Sequence, residues 1–101
     1  MARLIWSPQS ADDLEAACKY IARDSPTYAA DFARRVVDSV AALRRHPQLG
    51  RVVPELADPS LRELIVGHYR VLYDYREGNR VEILAVHHGA RLLRADPRED
   101  R

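Results

Sequence analysis

The sequence predicts an α+β domain: a helical hairpin packed on one face of a small, mainly antiparallel sheet. Three observations carry this prediction. Between positions 29 and 43, apolar residues return every three or four places. Residues 69–76 and 81–91 read as adjacent antiparallel strands, parted by the turn signal Glu77-Gly78-Asn79. A short alternating run at residues 3–7 precedes the first helical pattern and reads as one more strand.

Each element has a local cause. Ser7-Pro8 starts a helix, with serine as cap and proline at the first helical position. Ser10 and Asp13 offer a second start, shaped like a capping box, three residues later. Ala11, Leu14, Cys18, Ile21 and Ala22 form the apolar stripe, and Asp24-Ser25-Pro26 breaks that helix and caps the next. In the second helix the stripe is Ala29, Phe32, Val36, Val40 and Leu43. Asp31, Arg34, Arg35, Asp38 and Arg45 lie largely opposite, with Asp31 and Arg35 spaced for an ion pair. His46-Pro47 ends it. Residues 47–60 hold three prolines and Gly50 and read as an irregular connection, in which Leu49, Val52 and Val53 either dock a partner or fasten the loop to the core. Residues 61–66 form a strand that Gly67-His68 turns into the next. The last strand is apolar on both faces through Ile83, Leu84, Ala85 and Val86. It is therefore central, with the first strand on its far side.

A chain of 101 residues fits one domain, and 47% apolar content argues against disorder. The domain spans residues 1–91, and a charged tail, expected to fray, spans 92–101. No run approaches the ~20 apolar residues of a membrane span, and the apolar start is too short for a secretory signal. The single cysteine, Cys18, has no internal disulfide partner and sits at core spacing, which suits a reducing cytoplasm. Net charge is +1, which argues against indiscriminate nucleic-acid binding, yet fifteen of the sixteen basic residues are arginine. Genomic base composition explains that bias. So does a need for forked donors toward carboxylate or phosphate.

Chemistry concentrates on the late strands. His68, His87 and His88 lack a cysteine or carboxylate at ligand spacing, and adjacent strand residues face opposite ways, so no metal centre is expected. Ser7, Ser10 and Ser25 are explained as caps, and no glycine-rich phosphate loop or nucleophile elbow occurs. Metal-independent RNA cleavage needs an acid, a base and cations, which Arg62, Arg70, His87, His88 and Arg91 supply in principle. Alternatively, Arg62 and Arg70 pair with Glu63, Glu82 or Asp74. Tyr69, Val71, Tyr73 and Tyr75 share one strand face and read as core rather than as a stacking platform.

Several of these runs together resemble the ParE/RelE toxin superfamily of bacterial toxin–antitoxin modules. They are Ser7-Pro8 ahead of Asp13-Leu14, His46-Pro47-Gln48-Leu49-Gly50-Arg51, Leu61-Arg62-Glu63-Leu64, Gly67-His68-Tyr69-Arg70-Val71-Leu72-Tyr73 and Val86-His87-His88-Gly89-Ala90-Arg91. The resemblance runs from Ile5 to Arg91 and implies the same helical hairpin on a sheet. RelE-like members cut messenger RNA on the ribosome, whereas ParE-like members poison DNA gyrase and block replication. Arg70 falls on a phosphate-binding position of the RNA-cutting branch. However, the lysines of that branch on the preceding strand are unmatched, and no tyrosine follows Tyr75. His87 or His88 would then replace the acid.

The run through His-Gly-Ala-Arg resembles ParE more closely. The resemblance therefore implies a gyrase poison that stabilises plasmids and acts by binding rather than chemistry. A ribosome-dependent ribonuclease is the alternative, and an inert fold that only binds its antitoxin is a third. It also implies a hetero-oligomer with a cognate ParD-like antitoxin and no cofactor. Arg34, Arg35, Arg51, Arg70 and Arg91 are the candidates for contact with antitoxin or target.

Overall fold

The computed structural model describes residues 1–76 and 78–99. Strand β1 (Arg3–Trp6) leads into helices α1 (Pro8–Ala22) and α2 (Pro26–Ala41). A 3₁₀ turn (Ala42–Arg44) follows, then strands β2 (Arg51–Val52), β3 (Leu61–Val66), β4 (Tyr69–Arg76) and β5 (Arg80–His88). They form one five-stranded sheet in the order β1-β5-β4-β3-β2. β1 pairs with β5 in parallel and every other pairing is antiparallel, so the expected α+β meander with β1 beyond β5 is present.

Both helices start where their sequences say. Ser7 Oγ accepts the Ser10 amide at 3.0 Å and Ser25 Oγ accepts the Tyr28 amide at 3.1 Å, each with proline next in line. The second start at Ser10 and Asp13 is not used. Ser10 lies inside α1, fully buried, with its hydroxyl donating to the Ser7 carbonyl. The α1 stripe also turns slightly from expectation, because Ala11 is exposed and Ala17 is buried in its place. In α2 the whole stripe is buried, and the 3₁₀ turn carries Leu43 into the same core. Asp31 pairs with Arg34 at 2.9 Å rather than with Arg35. An exposed helical pair of this kind contributes only about 0.2–0.5 kcal/mol.

The main core lies between the hairpin and the sheet, where Phe32, Val36 and Val40 meet Val71, Tyr73, Val81 and Ile83. Tyr69 and Tyr75 pack at its edge, so the tyrosine face is core, as alternation predicts. Tyr73 is fully buried. Its hydroxyl donates to the Pro47 carbonyl at 2.7 Å and accepts the Gly50 amide at 2.9 Å. That bond explains part of a difference from expectation: the connection 47–60 is not wholly irregular. It contains β2, which pairs Arg51 with Glu63, and it buries Val53 against the far face of the sheet. The loop is therefore fastened to the core, while Leu49 stays exposed.

A second, smaller core forms on that far face from Val53, Leu61, Leu72, Leu84 and Ala85, with Leu56 and Leu93 packed on it. A bulge creates room for it. Leu72 faces Ala85 and Tyr73 faces Ile83, which leaves Leu84 as an extra residue in β5. Leu84 and Ala85 thus share the far face, and every residue after them is reset by one position. The backbone groups around the bulge lie beyond the end of β1, so α1 satisfies them instead. Ser7 Oγ donates to the Leu84 carbonyl at 3.2 Å, and the Val86 amide donates to Asp13 Oδ2 at 3.0 Å.

The β4–β5 turn places Gly78 and Asn79 at positive φ, +85° and +54°, as a tight hairpin requires. Glu77 of that turn signal lies outside the described residues, as do Asp100 and Arg101 of the tail. The described part of the tail lies against the body. Leu93 packs on the second core and donates its amide to Glu55 at 2.9 Å, and Arg98 is held by carboxylates. Among the described residues, no helix is long and apolar enough to cross a membrane.

Candidate interaction site on the far sheet face

Strand register sorts the five candidate cations. On β3, Arg62 stands opposite Tyr73 and so shares the tyrosine face, whereas Arg70 stands opposite Ile65 and His87 on the far face. His88 is paired with Tyr69, and its ring lies edge-on to Tyr69 at 5.4 Å and beside His68 at 6.4 Å. The structure therefore brings Arg70, His87 and Arg91 together and leaves Arg62 and His88 elsewhere. Arg62 donates to the carbonyls of Gly50 and Pro59 at 3.0 and 3.1 Å, not to any of the carboxylates expected for it.

Arg70 is the centre of the site, and its charge is already used. Its guanidinium grips Glu55 with two bonds of 2.7 and 2.8 Å, donates from Nε to Glu63 at 2.7 Å, and reaches the Arg91 carbonyl at 3.2 Å. Glu63 has a side chain with no exposure at all and bridges onward to Arg51 at 2.6 Å. Two arginines and two glutamates thus alternate in a chain that is neutral overall, with only Arg51 well exposed. The Glu55 bonds, opposed by burial, hold the Arg70 pKa above its ordinary value. Arg70 in turn, with the Leu93 amide, lowers Glu55 to about 2.

His87 is half-buried on the same face, 3.3 Å from an Arg91 nitrogen. Burial first, and the positive Arg91 second, push its pKa below 6.5, against a smaller opposing pull from Asp13. Arg70, Leu72 and His87 floor a cavity of about 690 Å³ whose other wall is the segment from Ala90 to Pro97. Of the remaining candidates, Arg34, Arg35, Arg51 and Arg91 present their cations to solvent, and Arg70 does not. Among the described residues, no group of three or more His, Cys, Asp or Glu side chains is placed to hold a metal ion.

Sequence reasoning missed Glu55, Asp13 and Arg98. Glu55 lies in a loop that carries no signal of its own. Asp13 looks like a capping residue until the bulge it serves is known.

The locked carboxylate makes a pH prediction. Glu55 has its pKa lowered in the folded state, from 4.5 to about 2. Its stabilising contribution is complete above pH ~4.5 and is lost as pH falls toward 2. Chemical denaturation of the wild type is expected to weaken across that window more steeply than that of Glu55→Gln. Parallel pH profiles for the two proteins would contradict the pairing.

The fold, a helical hairpin on a small sheet, is shared with chains of toxin–antitoxin complexes. The chain superposes on a chain of a chromosomal ParDE system from P. aeruginosa with TM-score 0.69 and 23% identity, covering 87% of this chain and 96% of the other. Against the RelBE2 toxin–antitoxin complex of Mycobacterium tuberculosis the TM-score is 0.58 at 25% identity, covering 86% and 96%. Residues 4–93 match the family model of the ParE toxin of type II toxin–antitoxin systems, and the chain belongs to that family. The Caulobacter vibrioides toxin RelE2 is 35% identical over 92 residues, 91% of this chain and 100% of that protein.

Proposed function

We propose that this toxin acts by binding DNA gyrase and blocking replication, without cutting RNA. The observation that supports this reading is the double carboxylate clamp on Arg70. An arginine that is to bind a scissile phosphate must present unpaired donors. Here every bond to Glu55 and Glu63 would have to break first, in a buried setting where an unpaired charge is costly. The partner that neutralises the toxin is a cognate antitoxin, encoded beside it and bound in a cytoplasmic hetero-oligomer. The exposed Val37 and the cations Arg34 and Arg35 of α2 are available to its apolar and acidic groups.

Purified toxin at micromolar excess is expected to abolish gyrase supercoiling and to accumulate cleaved DNA. Unchanged supercoiling and cleavage would remove this reading. The second reading, a ribosome-dependent ribonuclease, draws on Arg70, His87 and Arg91 sharing one face. Codon-specific cleavage in a translation extract, lost in Arg70→Ala, would select it. Normal growth on induction without antitoxin would instead select an inert fold.

A further inference from the structure

We infer that residues 91–98 form an autoinhibitory strap, latched by Arg98, that closes the Arg70 face of the sheet. The strap follows β5 without helix or strand and runs back over the far face. It is held at three points. Near its start the Arg91 carbonyl accepts from Arg70 at 3.2 Å. In its middle the Leu93 amide binds Glu55 at 2.9 Å and the Leu93 side chain packs on the second core. At its end Arg98 reaches Asp58 at 2.8 Å, Asp74 at 2.9 Å and Ser60 Oγ at 2.7 Å, and also grips Asp96 within the strap itself. Arg98 is only 10% exposed, although it sits in a segment whose neighbours are largely in solvent.

The arrangement has the features of a closable cover rather than of core. Leu93 packs on the second core, whereas Leu92 points outward at 72% exposure. The rest of its hold is polar: two backbone hydrogen bonds and the Arg98 ion pairs, among whose carboxylates Asp58 is 43% exposed. Segments held this way open at far lower cost than the sheet beneath them. Opening would remove one wall of the cavity over Arg70, Leu72 and His87, and would free Glu55 from one of its two partners. Asp58 and Asp96 are held below the ordinary carboxylate range, Asp58 chiefly by Arg98, so the latch stays charged at physiological pH. The inference concerns access to this face and holds whichever target the toxin has.

Amide exchange and growth arrest test it on the full chain, comparing wild type with Arg98→Ala, Arg98→Lys and Asp58→Asn at matched expression. Arg98→Ala is expected to speed exchange at the Leu93 amide by about ten- to a hundredfold while β4 and β5 amides keep their rates. Lysine, which lacks the fork, should fall between. The same alanine variant should arrest growth at a several-fold lower level of induction. Should Arg98→Ala disturb β4 and β5 as well, Asp58→Asn weakens the latch from the other side and is read in the same way. Unchanged exchange at Leu93 would overturn the latch. Faster exchange with equal, weaker or no arrest would overturn the autoinhibitory role.

Discussion

Replacing Glu63 with alanine is expected to lower the unfolding free energy by roughly 3–5 kcal/mol, the order of cost for removing one member of a buried ion-pair network. Glu63 is enclosed completely, and it is the only carboxylate shared by Arg51 and Arg70 among the described ion pairs. Its loss leaves Arg70, itself 7% exposed, with Glu55 alone, and leaves a void beside Leu72 on the neighbouring strand. Urea denaturation measures the effect. The double variant Glu63→Leu, Arg70→Met should recover much of the loss, because a buried pair replaced by packed apolar groups is commonly neutral or better. A Glu63→Ala protein within 1 kcal/mol of wild type would show that Arg70 is not clamped as described. It would thereby reopen the phosphate-binding role for that arginine.

Phe32→Ala is expected to cost about 3–5 kcal/mol by the lost transfer energy and the cavity left behind. Phe32 is 1% exposed and sits between α2 and the sheet, with its ring centroid 5.0 Å from that of Tyr69. Two rigid layers meet there, so the gap cannot close by a local shift of one side chain. Phe32→Leu keeps most of the volume and should lose less than half as much. Equal losses for the two variants would point to the aromatic contact, not the packing, as the source of stability.

The parts of this fold that were legible in the sequence are those set by local periodicity. The stripe from Ala29 to Leu43 needed only helical spacing, and the tyrosine face of β4 needed only alternation. That His87 and His88 face opposite ways followed from the same rule. Which of them shares a face with Arg70 did not, because the extra residue at Leu84 resets the count and has no sequence mark. Arg62 and Arg70, on consecutive strands, belong to one candidate set in the sequence. The β3–β4 register puts them on opposite faces, and register is a property of two strands together. The strap was illegible for a related reason: Arg98 meets Asp58 and Asp74 across 40 and 24 residues of chain, and nothing in a charged tail announces such distant partners.

The parallel pairing of β1 with β5 also sets a timetable for biosynthesis. Arg3 through Trp6 find their partners only in residues 80–83, so the sheet stays unfinished until most of the chain has left the ribosome. A nascent fragment holds the helices but lacks the strand that bears His87 and closes the layer. The closed five-stranded layer thus forms only after β5 has been made.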